Sequence, residues 1–124
     1  MKSAAAIPEE FFPQFKANFQ VMTESQFVNL MLANQHFRLP AALEKATAPT
    51  LVLVGQRELP VMKESARLLV KSLPDARGRV IDLGQGASMA KEHNWAMNAP
   101  DLFAQTLRNF IQGVELPEEL RPLG

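Results

Sequence analysis

Cysteine is absent from this chain of 124 residues, which excludes disulfides, thiolate nucleophiles and Cys-based metal sites. Histidine is nearly absent. His36 and His93 are the only two, too few for a His-rich metal centre, and no metal or cofactor is expected. An excess of either charge is also lacking: thirteen basic and thirteen acidic residues cancel to a formal net charge of zero, with no block of like charge. That argues against nucleic acid and anionic membrane surfaces as partners. No run approaches the roughly 20 apolar residues needed to span a bilayer. The opening Met1-Lys2-Ser3-Ala4-Ala5-Ala6-Ile7 has too short an apolar stretch for a secretion signal and meets Pro8-Glu9-Glu10 at once. A soluble cytoplasmic chain, long enough for one domain with a core but not for two, is the expectation. Internal repeats and low-complexity tracts are lacking too.

What is present divides into two textures. Residues 8–47 are helical in pattern and rich in Phe, Met, Leu and Ala. Phe11, Phe12, Phe15 and Phe19 share one helical face, and two uses stay open for the Phe and Met side chains of residues 8–32, packing on a core or lining an apolar pocket. Thr23 followed by Gln26 is a capping-box signature leading into a second helix with Phe27, Leu30, Met31 and Leu32. Arg38-Leu39-Pro40 breaks that helix, and residues 41–45 suit one more short turn. His36 is expected on the helix surface.

Residues 49–113 alternate strand and helix. Residues 51–54 are a short continuous apolar run, the mark of a strand buried on both faces. Leu59-Pro60 opens a helix over residues 61–72, with Ala66, Leu69 and Val70 inward. Leu73-Pro74-Asp75-Ala76 is a stop and turn. Residues 79–83 read as the second strand, ending at Gly84-Gln85-Gly86, and residues 87–99 read as loop, with Lys91-Glu92 a solvated pair. Pro100, at a first helical position, starts a helix carrying Leu102, Phe103, Leu107, Phe110 and Ile111, which Gly113 closes. Residues 114–124 are expected to form an extended tail. The fold class is therefore α/β, with a short parallel strand pair flanked by helices. Two buried parallel strands leave edges whose N–H and C=O groups invite pairing, so the chain is expected to take strands from a partner or to form a homodimer edge to edge.

These motifs carry a family resemblance. Residues 48–112 resemble the carboxy-terminal part of α/β-hydrolase fold enzymes, matching Pro49-Thr50-Leu51-Val52-Leu53-Val54-Gly55, the Leu-Pro-x-Ala turn, His93-Asn94-Trp95 and Pro100-Asp101-Leu102-Phe103 in order. In that family the chain order is Ser, then Asp or Glu, then His. The resemblance implies that Glu58 is the triad acid, holding the imidazole in one tautomer. It implies that His93 is the general base, and that Trp95 packs beside it at the mouth of a substrate pocket. Two registers are open for the histidine. His93 keeps its spacing to Pro100-Asp101-Leu102-Phe103, at the expense of extra residues 87–92; the position directly after the glycine pair is Ala87. Residues 1–47 correspond to the end of a helical lid, and residues 48–113 to the carboxy-terminal core segment.

The nucleophile is missing. No Gly-x-Ser-x-Gly elbow occurs, and Ser3, Ser25, Ser65, Ser72 and Ser88 all lack its flanking glycines. The resemblance therefore implies a partial esterase-like hydrolase that is inactive alone and acts on a small acyl substrate once an amino-terminal half supplies the serine. A non-catalytic self-associating or partner-binding module is the alternative. A third reading makes Ser88 an unconventional nucleophile of an esterase complete in this chain.

Overall fold

The structure, a computed structural model, describes residues 5–124. In order these form α1 (Phe12–Gln20), α2 (Glu24–His36), a 3-10 turn (Ala41–Lys45), β1 (Thr50–Gly55), α3 (Pro60–Ser72), β2 (Ala76–Ile81), α4 (Met89–His93), α5 (Trp95–Asn98), α6 (Pro100–Gln112) and β3 (Leu120–Pro122); a 3-10 turn at Glu9–Phe11 precedes α1. Among the described residues this is a mixed α/β fold with six α-helices and one three-stranded sheet, ordered β1-β2-β3.

The period-2 geometry of strands distributes β1 over two faces. Val54 packs with Val80 and with Ala66 of α3, and Val52 and Leu123 lie against them. Leu53 instead joins a second cluster of Ile81, Trp95 and Leu120, walled by Leu83, Leu102, Phe103 and Leu116. Helix α3 therefore covers one face of the sheet, while α5 and α6 cover the other. Proline opens the two helices that cover the sheet at length, Pro60 in α3 and Pro100 in α6, where its missing N–H costs nothing. Gly113 ends α6 in the left-handed region, φ 68°, a conformation that glycine adopts without a Cβ penalty.

Three expectations from sequence need correction. The second strand is Ala76–Ile81, not residues 79–83, because β1 pairs along its whole length, Thr50 against Ala76 through Gly55 against Ile81. Residues 87–99 are not loop: they hold α4 and α5. The tail does more than extend. Leu120–Pro122 pairs antiparallel with β2, Ile81 facing Leu120 and Arg79 facing Pro122, so β2 is a central strand.

The two sheet edges differ. β3 is short and carries Arg121 and Pro122, features that discourage further pairing. β1 has neither charge nor proline. The N–H groups of Thr50 and Gln56 bond to Asp75 and Ile81, so even-numbered residues face β2 and the backbone groups of Leu51 and Leu53 point to the outer edge. No strand covers that edge among the described residues.

Helices α1 and α2 bury no residue. The Phe12, Phe15 and Phe19 rings pair with one another, centroids 6.3 and 5.0 Å apart, rather than with the sheet. The Thr23 capping box forms as expected: Thr23 Oγ accepts from Gln26 N and the Gln26 side chain accepts from Thr23 N. Phe27, Val28, Leu30, Met31 and Leu32 are exposed around α2, and core packing of this face is not found. The segment before α1 does dock. Ile7 is buried, and Asn94 and Asn98, one turn apart, donate to the carbonyls of Ala5 and Ala6 at 2.6 and 3.0 Å. The accessible surface totals 9147 Å², against about 6,600 Å² for a folded monomer of this mass. No helix among the described residues is long and apolar enough to cross a membrane.

Candidate functional site

β1 ends at Gly55, and a tight turn follows in which Glu58 N bonds to the Gly55 carbonyl at 3.2 Å. This delivers Glu58 two residues ahead of α3. Its Oε1 accepts from Leu59 N at 3.2 Å, and a helix amino terminus favours the negative charge. The side chain is 6 % exposed. On the other side, Ser88 caps α4 by accepting from Lys91 N, and His93 is the last residue of that short helix.

The two side chains meet. His93 Nδ1–H donates to Glu58 Oε2 at 2.7 Å. An ionised carboxylate only accepts, so Nδ1 carries the proton, and in the neutral imidazole the lone pair is on Nε2. The imidazole is 57 % exposed, and Nε2 makes no hydrogen bond among the described residues. A histidine with its tautomer fixed from behind by a carboxylate and Nε2 presented outward is arranged as a general base.

A second carboxylate lies beneath this pair. Glu92 is 1 % exposed, which corrects the expectation of a solvated Lys91-Glu92 pair. Its Oε2 accepts from Arg57 N at 2.6 Å, and its Oε1 accepts from the Arg57 guanidinium and from Leu83 N at 3.3 Å. Arg57 also donates to the Gly84 carbonyl at 3.0 Å and to Asp82 Oδ1 at 3.4 Å. Asp82 accepts from Gly84 N at 2.9 Å and pairs with Arg121 of β3 at 3.1 Å. Partial desolvation opposes the Arg57 charge, but the hydrogen bonds and charges of Glu92 and Asp82 outweigh it and raise its pKa. The Gly84 amide, with help from Arg57 and Arg121, holds the Asp82 carboxyl below its ordinary 3.8.

That depression has a consequence for acid stability. The unfolded chain binds the Asp82 proton at a higher pH than the folded one, so Asp82 stabilises the fold fully above about pH 4. The contribution fades as pH falls through the lower folded-state value. Urea unfolding of Asp82→Asn followed from pH 6 down to pH 2 should show a shallower loss of stability than the parent chain. An identical slope would mean that Asp82 plays no part.

Trp95, expected at a pocket mouth, is placed in the core: it is 8 % exposed, with its indole edge on Phe103 at 5.1 Å between centroids. Ala87 closes a turn on the Gly84 carbonyl, and it is His93 that lies against Glu58. The Ser65 and Ser72 hydroxyls bond back to helix carbonyls at 2.8 Å, and Ser88 is a cap. None of them bonds to His93, and Ser3 lies outside the described residues. His36 is exposed at the end of α2. Among the described residues no three His, Asp or Glu side chains converge as metal ligands would.

No motif or spacing singles out Arg57, Asp82, Glu92, Asn94 or Asn98 in advance. Glu58 and Glu92 each meet a partner 35 residues away, in consecutive pairs 57–92 and 58–93, a separation that no local sequence pattern marks. Compared with protein-family models, curated proteins and solved structures, the chain matches none.

Proposed function

We propose that this chain is the carboxy-terminal portion of a cytoplasmic α/β-hydrolase, contributing the acid and base of a triad that cleaves an ester or related acyl bond. The Glu58–His93 pair carries this reading: its Nδ1–H donates to the carboxylate and its Nε2 faces outward, as the base of such a triad requires. In the reaction Nε2 takes the proton of a serine hydroxyl as it attacks the acyl carbon, Glu58 stabilises the resulting imidazolium, and the proton then passes to the leaving group. The serine and the oxyanion donors lie outside these 124 residues. The uncovered β1 edge supports that division, since Leu51 and Leu53 hold out backbone groups that a further strand would satisfy.

The same edge favours a second reading, in which copies of the chain pair through β1 without catalysis.

One experiment separates the two. The native protein is captured from its source cells, its mass is measured, and a fluorophosphonate probe is applied. A labelled serine on a longer form of this polypeptide or on a co-purifying chain supports the hydrolase. Labelling should then fall at least a hundredfold in His93→Ala, because the serine loses its base. A species made only of copies of this chain, with no labelled serine, overturns the hydrolase and supports self-association.

A further inference from the structure

We infer that Glu92, locked to Arg57, is the positioning residue for the Glu58–His93 pair. The inference rests on the reading of His93 as a base. Three observations carry it. First, Glu92 is fused by one peptide bond to His93, and Arg57 by one peptide bond to Glu58, so the two contacts form adjacent rungs between the same two segments. Each rung has a buried carboxylate and a more exposed cationic or imidazole partner, but the two residues on α4 differ sharply, Glu92 at 0 % side-chain exposure against 57 % for His93.

Second, the Arg57–Glu92 rung is bonded to backbone as well as to side chain. Glu92 Oε2 holds the Arg57 amide at 2.6 Å, fixing the path of the turn that aims Glu58. Glu92 Oε1 holds Leu83 N at 3.3 Å, which fixes α4 to the end of β2. The guanidinium spans the gap between these segments, on Glu92, Asp82 and the Gly84 carbonyl together. A single hydrogen bond on an imidazole that is more than half exposed does not by itself hold the histidine in place, because an exposed side chain regains its rotamer freedom at little energetic cost. A buried carboxylate with both oxygens bonded, to two backbone amides and a guanidinium, does.

Third, Glu92 touches nothing that a substrate at Nε2 would touch. It makes contact only with protein donors, and no buried side-chain polar atom among the described residues is left without a partner. Its role is therefore to place His93, not to react. The charged groups facing Glu92 are Arg57 directly and, through Arg57, Asp82 with Arg121 on its far oxygen.

The test reads the tautomer of His93 in the full chain by nitrogen-15 NMR, with a circular dichroism melt on each sample to show that it is folded. The parent chain should hold the proton on Nδ1. Glu58→Gln should lose that preference, and its failure to do so would remove the reading of the pair itself. Glu92→Gln keeps the size of the side chain but replaces one acceptor with a donor facing the Arg57 or Leu83 amide. It should lose Nδ1–H as the main form while Glu58 is intact. If Glu92→Gln does not fold, Arg57→Lys, which leaves Glu92 its two backbone donors, takes its place and should weaken the same preference. A folded Glu92→Gln or Arg57→Lys chain with the parent tautomer overturns the inference and leaves Glu92 a purely structural group.

Discussion

Trp95→Ala is expected to lower the unfolding free energy by about 3–5 kcal/mol, the usual range for truncating a buried indole. Seven apolar side chains are buried among the described residues, and Trp95 is the largest of them. It shares its cluster with Ile81 and Leu120 of the sheet and with Leu102 and Phe103 of α6. The edge-on contact with Phe103, at 71° between ring planes, adds about 0.5–1.5 kcal/mol beyond burial. A protein of this kind has only about 5–15 kcal/mol in hand, so the variant should sit close to unfolding. Urea titration followed by circular dichroism measures it, since the variant has lost the only tryptophan. A loss under about 1 kcal/mol, the level of a surface substitution, would place the indole in solvent and return it to the pocket mouth that its spacing to His93 suggests.

The second large effect is expected at Gly55. A Cβ built there would stand 2.9 Å from Glu92 Cβ, 3.4 Å from Glu92 Oε2 and 3.7 Å from the Glu92 carbonyl carbon. Neither Glu92 Cβ nor its backbone is a flexible tip, so the obstruction is answered only by moving α4. Gly55→Val should therefore cost about 1–3 kcal/mol in overpacking. It should also separate His93 from Glu58, because α4 carries the histidine at its end. Gly55→Ala should show the same two effects at smaller size. Stability by urea titration and the His93 tautomer by NMR give both readouts on one sample. A Gly55→Val chain as stable as the parent, with its tautomer unchanged, would show that the approach of α4 to β1 is looser than these distances imply.

Elements written locally were legible in the sequence. The apolar run at residues 51–54 marked β1, Pro60 and Pro100 marked helix starts, and the Thr23 and Gln26 side chains announced the α2 cap. Elements made by partners were not. Ala76-Arg77-Gly78 has no strand character of its own and becomes strand because β1 lies beside it. Leu120–Pro122 is hidden by a proline and by the acids before it, and is held by ladder bonds and the Arg121–Asp82 pair. Helices α4 and α5 are too short to show a period. At the site, the pairing of Glu58 with His93 was reachable through motif spacing, but the burial of Glu92 was not. A glutamate beside a lysine reads as solvated until donors 35 residues away are brought to it.

The bare edge of β1 has a further consequence, for abundance rather than for chemistry. A further strand laid over Leu51 and Leu53, as proposed above, would bind the folded sheet and not the unfolded chain, and would stabilise the fold by mass action. Each tenfold rise in the free occupant above its dissociation constant adds about 1.4 kcal/mol. Chains made in excess of their occupant go without that increment, spend more time open, and are cleared first by proteases. Under that proposal the uncovered strand would act as a stoichiometer, matching the standing amount of this polypeptide to the amount of its occupant.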